Sequence, residues 1–285
     1  MERLGLLRQW VHRQWYGWLG KLYPYCPAWD PIEILETVKG NWGFGMCTHY
    51  ASTFVGCAAS LGYVARVLII DHHCLAEVWS DDLDKWILMD AGLSRESNAM
   101  YELDGEPANA LEVHRAIASG RADDLRERLF PQNEVKPMRK DLIRIFCRFG
   151  IPLRNDHLVR PEPAERAHGA AQYHWDGYLW WTDEADPKYP EYSLQTRRAA
   201  DLYWPVGRVR IHLQAIDELG HVRVQLEHTM PNFDRYEIRQ GGSDWRKAEA
   251  EFEWRLEPGK NTLQARAVNV FGKEGKRSGV AVVRQ

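Results

Sequence analysis

The sequence predicts an α+β fold in which a helix beginning at a cysteine packs on an antiparallel sheet, followed by an all-β sandwich. Three observations lead to this prediction. A helical apolar stripe follows Cys47, three strand patterns come directly after that helix, and period-two alternation dominates the C-terminal part. We therefore divide the chain into a core (residues 1–100), a helical and aromatic-rich extension (101–204) and a β-sandwich (205–285).

Composition excludes several classes of protein. The 285 residues are 45% hydrophobic and 27% charged, which is typical of globular proteins. The net charge of −3 is spread along the chain without a basic face, so no nucleic-acid partner is expected. No apolar run is long enough for a membrane span. No secretion signal is recognised and the chain begins inside an amphipathic pattern, so the compartment and an upstream segment are left open.

The first elements are helices. An amphipathic N-terminal helix is predicted by apolar residues at helical spacing: Leu4, Leu7, Val11, Trp15, Trp18 and Leu19. Asp30 precedes Pro31 and Glu33, a pattern typical of an N-cap with proline at the first helical position. This second helix is expected to continue through Val38.

A third helix is predicted to begin at Cys47. Gly43 and Gly45 allow a sharp turn before it, and Gly62 is expected to end it. Its apolar face carries Tyr50, Ala51, Phe54, Val55, Cys57, Ala58 and Leu61. The free N–H groups and positive dipole at a helix start favour a thiolate over a thiol. Cys47 is therefore a candidate nucleophile.

Three strands are predicted at residues 64–70, 73–79 and 85–91, and the short polar connection before the last of them indicates a hairpin. Asp90 closes an otherwise apolar strand, where a carboxylate needs a partner. In a hairpin it can approach His73 at the start of the preceding strand. A thiolate, an imidazole that exchanges its proton and a carboxylate that orients the imidazole are the groups that nucleophilic catalysis by cysteine requires.

Four blocks of sequence carry a resemblance to a known family: Gly45-x-Cys47-x3-Ala51, Leu61-Gly62-x3-Arg66-Val67, His73-x3-Glu77-Val78 and Trp86-x3-Asp90. In this order and spacing they resemble the transglutaminase-like superfamily over about residues 1–95. The resemblance implies a papain-like core in which Cys47 is the nucleophile, His73 the general base and acid, and Asp90 the orienting carboxylate. It gives Arg66 a structural role. Cys74 stands where the family commonly has alanine.

The expected function is acyl transfer from amide bonds of a protein, peptide or other amide through a thioester, completed by water as in a peptidase or amidase. The backbone N–H of Cys47 is a candidate oxyanion donor. Neither a metal nor an organic cofactor is required. One alternative is a protein-glutamine transglutaminase, in which an amine replaces water. Another is a metal site, disfavoured because adjacent strand residues point to opposite faces, formed by Cys47, His49, His72, His73 and Cys74.

The remaining segments suggest packing and binding. Residues 102–149 have a helical, charged pattern, and residues 172–204 are dense in aromatics. We interpret the aromatic stretch as a packed connection; glycan binding by a carbohydrate-associated or non-catalytic protein is the open alternative. In the C-terminal part, Leu256-x-Pro258-Gly259-x-Asn261-x-Leu263 resembles immunoglobulin or fibronectin type III modules. Such modules are commonly spacers or adhesion surfaces, and their fold alone does not assign a function.

Overall fold

A computed structural model describes residues 2–14, 29–39, 47–71, 73–92, 99–129, 133–153, 178–183, 194–217 and 220–284. The chain forms two compact units, Met1–Tyr203 and Trp204–Gln285. In the part of the chain that the structure describes, no helix is long and apolar enough to cross a membrane. Each unit is described separately below.

The first unit begins with the three predicted helices: α1 (Glu2–His12), α2 (Pro31–Lys39) and α3 (Cys47–Ser60). The predicted N-cap of α2 is confirmed, because Asp30 Oδ1 accepts hydrogen bonds from the backbone N–H groups of Ile32 and Glu33 at 2.8 and 3.2 Å. Three shorter helices follow later in the unit: α4 (Ala110–Ala118), α5 (Lys140–Ile145) and α6 (Ala199–Leu202).

These helices surround one large sheet. Its strands are β1 (Ala65–Ile70), β2 (His73–Ser80), β3 (Lys85–Asp90), β4 (Ala99–Leu103), β5 (Glu106–Pro107), β6 (Leu125–Leu129), β7 (Glu134–Pro137), β8 (Phe149–Pro152), β9 (Tyr178–Trp181) and β10 (Gln195–Thr196). The strand order is β10-β9-β8-β1-β2-β3-β4-β6-β7, with β5 paired to β4. All pairs are antiparallel except β9 with β10. The predicted hairpin of β2 and β3 is confirmed, with Ser80 opposite Lys85.

The structure differs from the prediction in the segment after residue 100. This segment was predicted as a helical extension separate from the core, yet it supplies β6, β7, β8, β9 and β10 to the same sheet. Leu125 and Leu129 show why the pattern misleads. A spacing of four residues places two side chains on one face of a helix and equally on one face of a strand. The helix was predicted because the residues between the two leucines are charged.

The two faces of the sheet are covered by different helices. Side chains that alternate along β2 and β3, including Ala76, Val78 and Met89, pack with α1, α2 and α3 in one apolar cluster. The opposite face carries Glu77, whose Oε1 accepts a hydrogen bond from the Ala110 backbone N–H at the start of α4 at 3.0 Å. The unit is thus an α+β layer arrangement with the sheet in the middle.

Arg66 and Glu77 form a buried ion pair on that second face. Arg66 donates to Glu77 Oε2 from Nε at 2.9 Å and from Nη2 at 2.6 Å. Arg66 Nη1 also donates to the backbone oxygen of Leu202, and Tyr203 donates its hydroxyl to Glu77 Oε1. Because these bonds join β1, β2, α4 and the end of α6, they stabilise the packing of the unit rather than a reaction centre.

The second unit contains two antiparallel sheets, formed by β11 (Val209–Ala215), β12 (His221–His228), β13 (Phe233–Gln240), β14 (Arg246–Ala248), β15 (Glu251–Arg255), β16 (Gly259–Asn269) and β17 (Ser278–Arg284). The sheet orders are β11-β12-β15 and β14-β13-β16-β17. Val224 and Trp254 of one sheet share a buried cluster with Ile238 and Leu263 of the other. Two sheets enclosing one core form a β-sandwich.

Candidate active site

His73 and Asp90 meet at one end of the β2–β3 hairpin. His73 is the first residue of β2 and Asp90 the last of β3. The register pairs Ala76 with Met89, so Asp90 lies opposite Leu75 and diagonally from His73 on the same face of the sheet. Side chains in such diagonal positions are within reach of one another. His73 Nε2 and Asp90 Oδ2 are 3.0 Å apart, with both residues buried at 5% and 1% exposure.

Cys47 reaches this pair from the helix that packs on the sheet. It is the first residue of α3 and 8% exposed. The thiol and backbone N–H of Cys74 on β2 contribute to lowering the pKa of Cys47 well below its usual 9.0. Burial opposes this shift, and the imidazole of His73 strengthens it through its charge and proximity. A thiol surrounded by donors and a positive charge is present as the thiolate.

His73 shows the complementary shift. Burial favours the neutral imidazole, but the charge of Asp90, its hydrogen bond and the neighbouring Cys47 together raise the pKa of His73 from 6.5 to about 10. The lowered pKa of the thiol and the raised pKa of the imidazole both favour a thiolate–imidazolium pair. This is the protonation state that a cysteine nucleophile needs before it meets a carbonyl group.

The two ring nitrogens of His73 have different tasks. Nε2 is hydrogen-bonded to Asp90, so Nδ1 is the nitrogen that remains available to interact with Cys47. Nδ1 makes no hydrogen bond to any described residue, although the His73 ring is close enough to lower the pKa of the Cys47 thiol. In active sites such hydrogen bonds are often long or poorly aligned until substrate binds.

Behind Asp90, a line of polar side chains crosses the sheet. Tyr101 on β4 is 0% exposed and donates its hydroxyl to Asp90 Oδ2 at 3.0 Å. Its position follows from the register, which pairs Ala99 with Asp90 and so puts Tyr101 on the same face two residues further on. Glu127 lies directly opposite Tyr101 on β6 and accepts a hydrogen bond from the Arg139 backbone N–H at 2.9 Å. Of these groups, the Tyr101 hydroxyl holds the Asp90 carboxylate directly.

Arg8 supplies a second buried positive charge that interacts with Asp90. It lies on α1 and is 0% exposed. Burial lowers the pKa of Arg8 to about 10, and the negative charge of Asp90 acts in the opposite direction. At neutral pH the guanidinium is therefore charged. The carboxylate of Asp90 thus interacts electrostatically with two cations, the imidazolium of His73 and the guanidinium of Arg8.

The structure therefore brings together the three predicted catalytic residues, Cys47, His73 and Asp90. Of the other candidates, His49 is buried in α3, and His72 lies outside the described residues. Among the residues that the structure describes, no group of three or more His, Cys, Asp or Glu side chains is arranged to hold a metal ion. The described aromatic residues of β9, Tyr178, Trp180 and Trp181, are buried in the sheet.

Sequence reasoning missed the residues that surround the triad, although one of them carries a signal. Arg8 lies among Leu4, Leu7 and Val11, so it is a charged residue on the apolar face of a helix, where a charge requires a partner. Tyr101 belongs to a strand that was predicted as the start of a helical segment. The closeness of Cys74 to Cys47 depends on tertiary packing and has no signal in the sequence.

Comparison with known proteins adds little to this description. No protein-family model matches the chain, and no curated protein matches it. Among solved structures, the chain is similar to the PKD1 domain of the Vibrio cholerae metalloprotease PrtV, with 17% identity and a TM-score of 0.22. That similarity covers 28% of this chain and 96% of the PKD1 domain. A TM-score this low supports no conclusion about fold or function.

Proposed function

We propose that the first unit is a cysteine-dependent acyl-transfer enzyme with a papain-like, transglutaminase-like core that acts on amide bonds and completes its reaction with water. The observation that carries this proposal is His73, whose Nε2 is bound to Asp90 while its ring lowers the pKa of Cys47. A buried thiolate–imidazolium pair with an orienting carboxylate has the composition of a nucleophilic catalytic triad.

The reaction follows from the protonation states. The Cys47 thiolate attacks the carbonyl carbon of the substrate, and the negative charge moves to the carbonyl oxygen. The backbone N–H of Cys47, at the first turn of α3, is the donor that we assign to this oxygen. The imidazolium of His73 then protonates the amine as the C–N bond breaks, which leaves a thioester on Cys47. A pKa of about 10 keeps that proton available at neutral pH.

The second half of the reaction uses the same histidine as a base. Neutral His73 removes a proton from water, and the resulting hydroxide attacks the thioester carbonyl. The C–S bond then breaks and the acid product leaves. Cys47 departs as the thiolate while His73 keeps the proton taken from water, which restores the resting ion pair. An amine in place of water would give transamidation, so the two outcomes differ only in the second nucleophile.

We interpret the second unit, Trp204–Gln285, as an immunoglobulin- or fibronectin type III-like module. Three- and four-stranded antiparallel sheets around one shared core support this interpretation. No catalytic role is assigned to it.

The test uses p-nitrophenyl acetate, an activated acyl donor that reports on the nucleophile without knowledge of the natural substrate. We expect a burst of nitrophenol equal to the enzyme concentration and an acetyl group on Cys47 after acid quenching, located by peptide mapping. Cys47→Ala abolishes both, and His73→Ala slows acetylation by about 10²–10⁴-fold. Cys57→Ala is the matched control, because this second cysteine of α3 has a pKa raised by burial and is expected to be inert.

A separate measurement distinguishes hydrolysis from transfer. Casein is incubated with the enzyme, with and without methylamine, while new α-amino groups, released ammonia and bound methylamine are quantified. Hydrolysis predicts new α-amino groups from peptide bonds, or ammonia from side-chain amides, without bound methylamine, whereas a transglutaminase incorporates methylamine in proportion to released ammonia. The proposal fails if Cys47 is acetylated no faster than Cys57 and His73→Ala changes nothing.

A further inference from the structure

Two reduced cysteines lie side by side in the candidate active site. Cys74 is the second residue of β2, directly after His73, and belongs to the same buried cluster as Cys47. Helix α3 packs on β2, and its first residue brings the Cys47 thiol beside both the thiol and the backbone N–H of Cys74. Both cysteines are free thiols, and the mechanism above uses only one of them.

We propose that Cys74 is a resolving cysteine, so that oxidation of Cys47 by a peroxide ends in a Cys47–Cys74 disulfide that switches the site off reversibly. This inference rests on the proposed role of Cys47 as a thiolate nucleophile. It adds a modification site and a mode of regulation that the acyl-transfer reaction itself does not need.

The first step is the oxidation of Cys47. Its thiolate attacks one oxygen of hydrogen peroxide, an S–O bond forms, the O–O bond breaks and hydroxide leaves. The transferred oxygen keeps its hydrogen, so the sulfur is oxidised to sulfenic acid and the peroxide is reduced, and a proton converts the leaving hydroxide to water. Cys47 is buried at 8% exposure, so only an oxidant as small as peroxide is expected to reach it, and its thiolate character makes it the preferred target among the described cysteines.

The second step uses Cys74. Before oxidation, the neighbouring Cys47 thiolate and burial raise the pKa of Cys74 well above its usual 9.0, so Cys74 retains its proton. Conversion of Cys47 to a neutral sulfenic acid removes that negative charge. Cys74 then attacks the sulfenic sulfur: an S–S bond forms, the S–O bond breaks, and hydroxide leaves with the Cys74 proton as water. In sum, two thiols and one peroxide yield one disulfide and two waters.

Position excludes Cys57, the other cysteine of the same helix, as the resolving partner. It lies ten residues after Cys47 on α3, and a rise of about 1.5 Å per residue separates the two Cα atoms by roughly 15 Å. A disulfide requires a Cα–Cα distance of about 4.4–6.8 Å. Cys74 is on the neighbouring strand against which Cys47 packs, and its thiol is beside that of Cys47.

The experiment maps thiols in the intact chain. The reduced protein is treated with an equimolar amount of hydrogen peroxide, remaining thiols are blocked with iodoacetamide, and the unreduced digest is analysed by mass spectrometry. We expect one linked pair of peptides containing Cys47 and Cys74. Dithiothreitol should then restore alkylation of Cys47 almost completely.

Two variants test the role of the resolving thiol. In Cys74→Ser the Cys47 sulfenic acid has no partner and proceeds to sulfinic acid, which dithiothreitol does not reduce. We expect recovery of Cys47 alkylation to fall at least about tenfold relative to the unaltered protein. Cys57→Ser, the same change at a half-buried cysteine of α3, should retain full recovery. Circular dichroism confirms that both variants are folded.

The proposal is overturned if peroxide converts Cys47 of the unaltered protein directly to sulfinic acid, or if its disulfide partner is any cysteine other than Cys74. The unaltered protein alone decides this point, so poor folding of a variant does not obscure it. The outcome is also independent of the proposed function. Acetylation of Cys47 without a Cys47–Cys74 disulfide refutes only the switch, and a disulfide without acetylation refutes only the acyl-transfer enzyme.

Discussion

Replacement of Asp90 by asparagine separates the charge of this residue from its role as a hydrogen-bond acceptor. The asparagine side chain has the same shape and retains an oxygen for His73 Nε2, but it carries no charge. The rise in the pKa of His73 from 6.5 to about 10 corresponds to roughly 5 kcal/mol in favour of the imidazolium, and the charge of Asp90 is its largest favourable cause. In Asp90→Asn, the effect of burial on the pKa of His73 is no longer offset by the charge of Asp90, and His73 becomes neutral.

Loss of the imidazolium then acts on Cys47. An opposite charge within about 4–6 Å shifts a pKa by about 1–3 units. Without the imidazolium, the pKa of Cys47 is expected to rise by about 1–3 units. At a pH below the pKa of Cys47 in both the unaltered protein and the variant, the thiolate fraction then falls by about 10–1000-fold. The assay is the rate of alkylation by iodoacetamide as a function of pH, with the modified peptide identified. The midpoint for Cys47 is expected to move upward while that for Cys57 stays unchanged.

Two controls make this result interpretable. Asp104→Asn makes the same change at an exposed carboxylate paired with Arg121 and should leave the labelling profile of Cys47 unaltered. Thermal unfolding checks that Asp90→Asn is folded, because the substitution also removes an anion near Arg8. If the folded variant is alkylated at Cys47 with the pH profile of the unaltered protein, the imidazolium does not sustain the thiolate and the reasoning is wrong.

Three further predictions follow from the contacts. Tyr101→Phe removes only the hydroxyl that donates to Asp90, so the free energy of unfolding in urea should fall by about 1.5–3 kcal/mol, as for hydrogen bonds to charged groups. Glu77→Gln leaves Arg66 buried without its anion, and a loss of about 3–5 kcal/mol is expected in the same measurement. Acyl transfer should decline as pH rises through about 10, because deprotonated His73 cannot protonate the leaving amine.

Glu134→Gln provides the surface comparison for the buried ion pair. Glu134 and Lys136 are both about half exposed, and pairs of this kind contribute at most about 1 kcal/mol. An equal effect of Glu77→Gln and Glu134→Gln would show that burial of the Arg66–Glu77 pair has no energetic consequence. An unchanged free energy of unfolding in Tyr101→Phe would show that the hydrogen bond from this hydroxyl to Asp90 has no energetic consequence. A rate of acyl transfer that stays constant above pH 10 would show that His73 does not act as the acid.

The helices and strands around the candidate site were predictable because their patterns are local. The apolar stripe after Cys47 repeats at helical spacing, and the structure contains a helix at Cys47–Ser60. The strands carrying His73 and Asp90 are bounded by turn residues, and their hairpin register follows from the short connection. The segment after residue 100 was not predictable in this way, because spacings such as that of Leu125 and Leu129 fit both a helix and a strand.

The sequence by itself determined which residue types could react and in what order they occur along the chain. A cysteine at a helix start, a histidine at a strand start and an aspartate at the end of the next strand are all local features. Tertiary structure alone decided what surrounds them, because Arg8, Cys74 and Tyr101 come from different elements of the first unit. Their burial next to Cys47 and Asp90 sets the protonation states, since charges interact strongly only where packing has excluded water.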